Sequence, residues 1–267
     1  MSERVVYTIE EGVADVRFNR PEKMNALDPA MFEAITATGK NLAANKAIRA
    51  VVLSGEGKAF SAGLDFMSFQ AMAKTDREKL NRDLFKADPD NPANYAQQPA
   101  FVWHWFPVPV IAAVHGVAFG GGLQIALGAD IRIVAPDVKM SIMEIKWGLV
   151  PDMGGTQLLR HLIRLDVLKE LTYTGRIVSG TEAVALGLAT RVNENPFGEA
   201  MKLAREIASK SPDALRADKK LLNAAGLITV AEGLKMEADL QQTVIGKPNQ
   251  VEAVLSNMEK RTPQFKD

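Results

Sequence analysis

Two stretches of this chain join small residues to the end of an apolar run in a way that could do chemistry. In FGGGLQIALGADIRIV, Phe119 to Val134, three consecutive glycines open a segment that reads as a helix. A helix start offers backbone N–H groups without internal partners, at the positive end of the helix dipole. Glycine lets such a backbone come close to a ligand, because no Cβ intervenes. The place suits an anion, or a carbonyl oxygen about to become one. One donor makes a poor oxyanion hole, so a second is needed. The turn KAFSAGLD, Lys58 to Asp65, follows an apolar run and offers the N–H of Ala62 or Gly63. On spacing alone, a helix packed tightly on a strand is an equally good reading. A phosphate loop is excluded, because the lysine and hydroxyl of GxxxxGKS/T are absent. Gln124, at the edge of the run, is polar but cannot exchange a proton.

The elements that must carry these stretches alternate between strand and helix. Val5 to Ile9 and Val13 to Phe18 read as strands, with Glu10 to Gly12 as a hairpin turn between them. Asp28-Pro29 is a helix start, and Phe32, Ile35 and Leu42 share one face beyond it. Ala50 to Leu53 is a fully apolar buried strand. Pro107 to Val114, Asp130 to Ala135 and Ala189 to Val192 read as further strands, and Ser179 to Leu188 as a capped helix. This is α/β alternation in short units rather than the strict βαβ of a dinucleotide fold. The polar segment Phe66 to Gln98 is expected to hold a helix and a mobile loop. After Pro196 the strand signals stop: Met201, Ala204, Ile207 and Ala208 share a helical face. Helical stretches then follow at Pro212 to Ala225, Val230 to Val244 and Gln250 to Met258. The division is thus a core over 1–195 and a helical region over 196–267.

Composition narrows the function. The 267 residues carry 32 Lys plus Arg and 32 Asp plus Glu, so no net charge draws the chain to nucleic acid or a membrane surface. Cysteine is absent, which removes disulfides, thiolate metal sites and cysteine nucleophiles together. Three scattered histidines, His104, His115 and His161, make no metal cluster. MSERVVYTIEEG has no apolar signal core, and no run approaches membrane-spanning length, so a soluble cytoplasmic protein is expected.

FSAGLD, AAVHGVAFGGGLQIALGADIRI, MEIKWGLVPDMGGTQLLR and LTYTGRIVSGTEAVALGL together resemble the crotonase, or enoyl-CoA hydratase/isomerase, superfamily, from about Asn19 to the C-terminus. The resemblance implies a spiral of ββα units and a C-terminal helical region that builds a homotrimer, often paired into a hexamer. It implies an acyl-CoA thioester as substrate, with coenzyme A part of that substrate and no separate cofactor or metal. Two backbone N–H groups, by matched position those of Ala62 and Gly121, would hold the thioester oxygen and stabilise an enolate. Losing one such donor costs about 3 kcal/mol. Ser61, Gly63, Leu64, Asp65, Gly120 and Gln124 would surround the acyl group. Arg20, Lys23, Ala26 and Lys260 fall on the family's CoA-contacting segments, Lys260 across a subunit boundary. His115 is taken as structural, and Trp103, His104 and Trp105 either line an acyl pocket or pack beneath the mobile loop.

An oxyanion hole does not move protons; a carboxylate raised by burial does. Hydratases of the family hold a water between two glutamates, at positions 124 and 144 here. Glu144 is present, but Gln124 replaces the first, and an amide cannot take a proton from water. Asp152, eight residues after Glu144, stands where hydratases usually carry glycine. The Glu144–Asp152 pair resembles that of the Δ3,5-Δ2,4-dienoyl-CoA isomerases, which carry an acid at position 124. Shifting a conjugated diene removes a proton at C2 and adds one at C6, and two carboxylates reach both ends. The expectation is a dienoyl-CoA isomerase of fatty acid degradation, with Glu144 the base and Asp152 the acid. The alternatives are an enoyl-CoA hydratase, a Δ3-Δ2 isomerase using Glu144 alone, and a non-catalytic acyl-CoA binder. For Asp152 a plain turn role also fits.

Overall fold

The computed structural model describes residues 3–76, 78, 84–86 and 91–267. Strands β1 (Val5–Glu10) and β2 (Val13–Phe18) form the expected hairpin. Glu11 and Gly12 turn it with φ of +50° and +78°, the mirror-type turn that matches strand twist. Helix α1 (Pro29–Ala43) starts as predicted: the Asp28 carboxylate accepts the Met31 N–H at 2.8 Å, and Pro29 occupies the first turn, where no N–H is needed. Strand β3 (Ala50–Gly55) is buried on both faces, hence its unbroken apolar run.

Helices α2 (Phe66–Lys74) and α3 (Gln98–His104) lead to β4 (Val110–Val114) and β5 (Val117–Phe119). Then come α4 (Gly121–Leu127), β6 (Ile131–Val134) and β7 (Lys139–Ser141). A 3-10 turn (Glu144–Trp147), α5 (Gly155–Leu159), α6 (Leu165–Thr174), α7 (Gly180–Leu186) and β8 (Arg191–Val192) complete the core. The main sheet runs β1-β2-β3-β4-β6-β8, parallel after the first pair. A second ladder pairs β5 with β7 and is extended by single bridges Leu27–Leu64, Ser61–Ala118 and Met140–Val178. Each turn of chain therefore lays one strand in the main sheet and one short stretch in the second ladder. The α/β spiral expected from the sequence is what forms.

Two features differ from the sequence reading. The strand expected from Pro107 starts at Val110, and α3 precedes it. In QPAFVWHWFPVPV a helix of seven residues is too short to impose a period on a nearly continuous apolar run. Of the mobile loop expected in Phe66 to Gln98, residues 77, 79–83 and 87–90 lie outside the described residues; the helical part of the segment is α2.

The main core fills the space between sheet and helices, and a second core lies on the other face. There α8 (Pro196–Ala208) presents Ala200, Ala204 and Ala208, one turn apart, to Val13, Val52, Ile111 and Ile133. Alanine at these steps lets the helix axis approach the sheet. Helices α9 (Pro212–Ala225), α10 (Val230–Val244) and α11 (Pro248–Glu259) follow, and they leave Leu222, Val230, Leu234 and Met258 exposed.

One buried cation ties α9 to the spiral. The Lys219 ammonium donates to the Trp103 and Val108 carbonyls at 3.2 and 3.0 Å and lies 2.8 Å from the Asp130 carboxylate. Burial pushes this lysine's pKa down, and Asp130 opposes the shift. Substituting Lys219→Ala strands two carbonyls and leaves Asp130 only the Val110 N–H, and we expect a loss of about 3 kcal/mol in urea unfolding.

Candidate active site

The spiral brings the two small-residue stretches side by side. Gly63 sits at φ +83°, and a Cβ there would lie 2.5 Å from the Phe119 carbonyl and 3.8 Å from the Gly121 nitrogen. Only glycine fits such an approach. Gly120 adopts φ +48° and ψ −120°, and its Cβ would point at the Glu144 carboxylate, 3.4 Å away. The glycine run thus clears the space in front of Glu144. Gly121 is the first residue of α4, and among the described residues its N–H donates to no protein acceptor.

The second donor differs from the expectation. The Ala62 N–H is committed to the Met24 carbonyl at 2.9 Å, so Ala62 cannot offer a bare donor. The Gly63 N–H makes a long contact, 3.3 Å, to the Ser61 hydroxyl. Leu64 is the residue of this turn whose N–H finds no acceptor among the described residues, while its neighbours Gly63 and Asp65 bond with Leu27 on either side. The pair of unpartnered N–H groups is Leu64 and Gly121.

Glu144 is buried at the start of its 3-10 turn. Its Oε1 accepts a 2.5 Å bond from the Gln124 amide, and its Oε2 has no partner. Burial raises its pKa above the ordinary glutamate value, and the nearby charge of Asp152 adds to the rise against the Gln124 bond. Asp152 is exposed as a residue, yet the atoms crowding its carboxyl strip enough water to push its pKa up as well. The structure therefore brings Glu144, Gln124 and Asp152 together with the glycine run.

Other expected site residues are occupied elsewhere. The Arg20 guanidinium donates to the Ala26 carbonyl at 3.1 Å and to Asp65 at 2.8 Å, with Asp28 3.6 Å away. Asp65 also accepts the Met67 and Ser68 N–H groups, capping α2. Ser61 is buried and donates to the Asn25 carbonyl at 2.9 Å. These three and Ala26 build the wall of the site. Asn25, not foreseen, pins the same wall: its side chain donates to the Glu56 and Ala59 carbonyls and accepts the Arg20 N–H. The signal was its position in a tight turn, where it takes φ +53°. Lys23 lies exposed in a 3-10 turn, and Lys260 is the exposed C-cap of α11.

His115 has a ring nitrogen 3.0 Å from the Gly57 carbonyl, a structural contact. Trp103 is fully buried in the main core, so it does not line an open pocket. His104 and Trp105 line a cavity of about 820 Å³ bounded by α3, α5 and α9. Among the described residues no three His, Asp or Glu side chains group as metal ligands, and no helix is long and apolar enough to cross a membrane.

The fold that carries this site is shared with known proteins. Residues 8–267 match the family model for enoyl-CoA hydratase/isomerase, and the chain belongs to that family, the crotonase superfamily. Human enoyl-CoA hydratase domain-containing protein 2, mitochondrial, is 32% identical over 96% of this chain and 86% of its own length. Human methylglutaconyl-CoA hydratase, mitochondrial, is 30% identical over 98% of this chain and 77% of its own. The crystal structure of an enoyl-CoA hydratase from Bacillus anthracis superposes with a TM-score of 0.89 at 30% identity, covering 98% of this chain and 99% of that one.

The raised Glu144 pKa has a consequence for stability. The folded state holds a proton that the unfolded glutamate releases near pH 4.5, so wild-type stability falls as pH rises from there through the raised value. In Glu144→Gln this slope is absent. We expect the difference in urea midpoint to move in the variant's favour as pH rises above about 4.5.

Proposed function

We propose that the chain is a dienoyl-CoA isomerase acting on acyl-CoA thioesters. The N–H groups of Leu64 and Gly121 hold the thioester oxygen, and the developing enolate charge falls between two dipoles that no protein acceptor engages. Glu144 Oε2 removes the C2 proton. The electron pair shifts through the diene, and Asp152, protonated beforehand, delivers a proton to C6. The carboxyls end with their protonation exchanged, and Asp152, which reaches solvent, allows the pair to reset. The observation that carries this reading is the carboxylate set itself: a buried Glu144 with one free oxygen and a raised Asp152, joined by an amide where a second glutamate would be needed to split water.

Leu222, Val230, Leu234 and Met258, exposed on α9 to α11, support assembly of the chain as a homotrimer or hexamer. A hydratase is the second reading. The relatives above are named as hydratases, and Asp152 is close enough for its charge to act on Glu144.

One purified preparation offered a 3,5-dienoyl-CoA and a 2-trans-enoyl-CoA separates the two. Isomerisation is expected to outpace hydration, and the reverse order would establish the hydratase. Glu144→Gln is expected to lower isomerisation by at least about a hundredfold. Asp152→Asn should cut turnover similarly while sparing proton exchange at C2, because Glu144 alone serves that step. Unchanged isomerisation in Asp152→Asn would remove Asp152 from the mechanism.

A further inference from the structure

The Gln124 side chain is 3% exposed and bonded at both ends. Its Oε1 accepts the Met153 N–H at 3.0 Å and the Gly155 N–H at 2.8 Å, while its Nε2 donates to Glu144 at 2.5 Å. Two backbone donors on one side and a carboxylate on the other leave the amide one orientation. Flipped, it would set NH2 against two N–H groups and oxygen against an anion. A Cβ on Gly155 would lie 2.8 Å from the Gln124 Cγ, so that residue's lack of a side chain is what lets its N–H reach the amide. The Met153 and Gly155 donors follow immediately on Asp152, so the amide that orients one carboxylate also anchors the loop bearing the other.

We propose that Gln124 is the positioning residue of this site. The oxygen half of its amide fixes the Asp152 to Gly155 loop against α4. The nitrogen half occupies Glu144 Oε1 and leaves Oε2 as the single oxygen able to take a proton. The inference rests on the reading of Glu144 as the base and assigns a task to the residue that departs from both hydratase and isomerase patterns. Asp152 is the charge that acts on Glu144 from the loop, its own 3-10 turn carries the exposed Lys146, α4 presents only uncharged residues, and α6, packed on that turn, carries the exposed Asp166, Lys169 and Glu170.

Two variants separate the halves of the amide. Gln124→Glu keeps an oxygen for the Met153 and Gly155 N–H groups but sets a carboxylate against Glu144. Gln124→Met removes both halves at similar length. The readouts are the Glu144 titration, by infrared difference against Glu144→Gln, and hydrogen exchange at the Met153 and Gly155 amides. In Gln124→Met the amides are expected to exchange at least about tenfold faster, and in Gln124→Glu to keep their protection. The Glu144 midpoint should rise in both, by about one pH unit or more in Gln124→Glu, where two carboxylates must share a proton.

A Glu144 midpoint and amide protection unchanged in Gln124→Met would overturn the proposal. Should that variant not fold, an unchanged midpoint in Gln124→Glu would do so alone. Neither readout needs turnover. If wild-type protein exchanges no C2 proton on any thioester while both shifts occur, the positioning role stands and the isomerase reading falls.

Discussion

Everything at the site follows from how closely the Phe119 carbonyl passes Gly63. At 2.5 Å from where a Cβ would stand, this crossing excludes any side chain and draws two successive turns of the spiral into van der Waals contact. Ser61 sits beside it, bridged to Ala118 through the backbone, so the crossing is stitched as well as packed. Because the turns touch, the N–H of Leu64 on one and of Gly121 on the next come near each other without either being spent on a neighbour. Wider spacing would admit water or side chains between them. The donors would then be hydrated, and their value to a developing negative charge would fall with the rise in local dielectric.

The acid–base side of the site is organised on the opposite principle. The oxyanion side depends on groups left unbonded, whereas the carboxylate side depends on a side chain bonded at both ends. Gln124 spends its oxygen on two backbone N–H groups and an amide hydrogen on Glu144, whose Oε2 stays without a partner. A buried polar atom without a partner is costly, and a fold retains one where a ligand completes the bonding. The wall beneath is likewise saturated: Arg20, Asp65 and Asn25 satisfy one another and the turn that carries Leu64.

Much of this was legible in the sequence, for identifiable reasons. The capping carboxylate and proline at Asp28-Pro29 locate α1, and the limits of α9 and α10 coincide with those read from their periodicity. Glu144 and Asp152, eight residues apart in the sequence, lie near enough for the charge of one to act on the other. The misplaced donor, Ala62, shows where local reading ends. In a turn of small residues the bare N–H is decided by which carbonyls pick off the others, and Met24 is distant in sequence. The Arg20–Asp65 pair is illegible for the same reason, since nothing in either segment announces a pairing across 45 positions. Strands β5 and β7, three residues each, are too short to show a period.

Lys219 gives the C-terminal helices a meaning beyond coverage. It is the only charged side chain of residues 196–267 that is buried, and its acceptors belong to the spiral, just ahead of β4 and beyond α4. The spiral is therefore electrically incomplete without α9: shortened at residue 195, it would keep Asp130 and two inward carbonyls but lose their counter-ion. The boundary read from the sequence is therefore crossed by a buried ion pair. The buried ammonium group thus joins core and helices alongside the alanine face of α8 and the Asn223 bond to the His104 carbonyl.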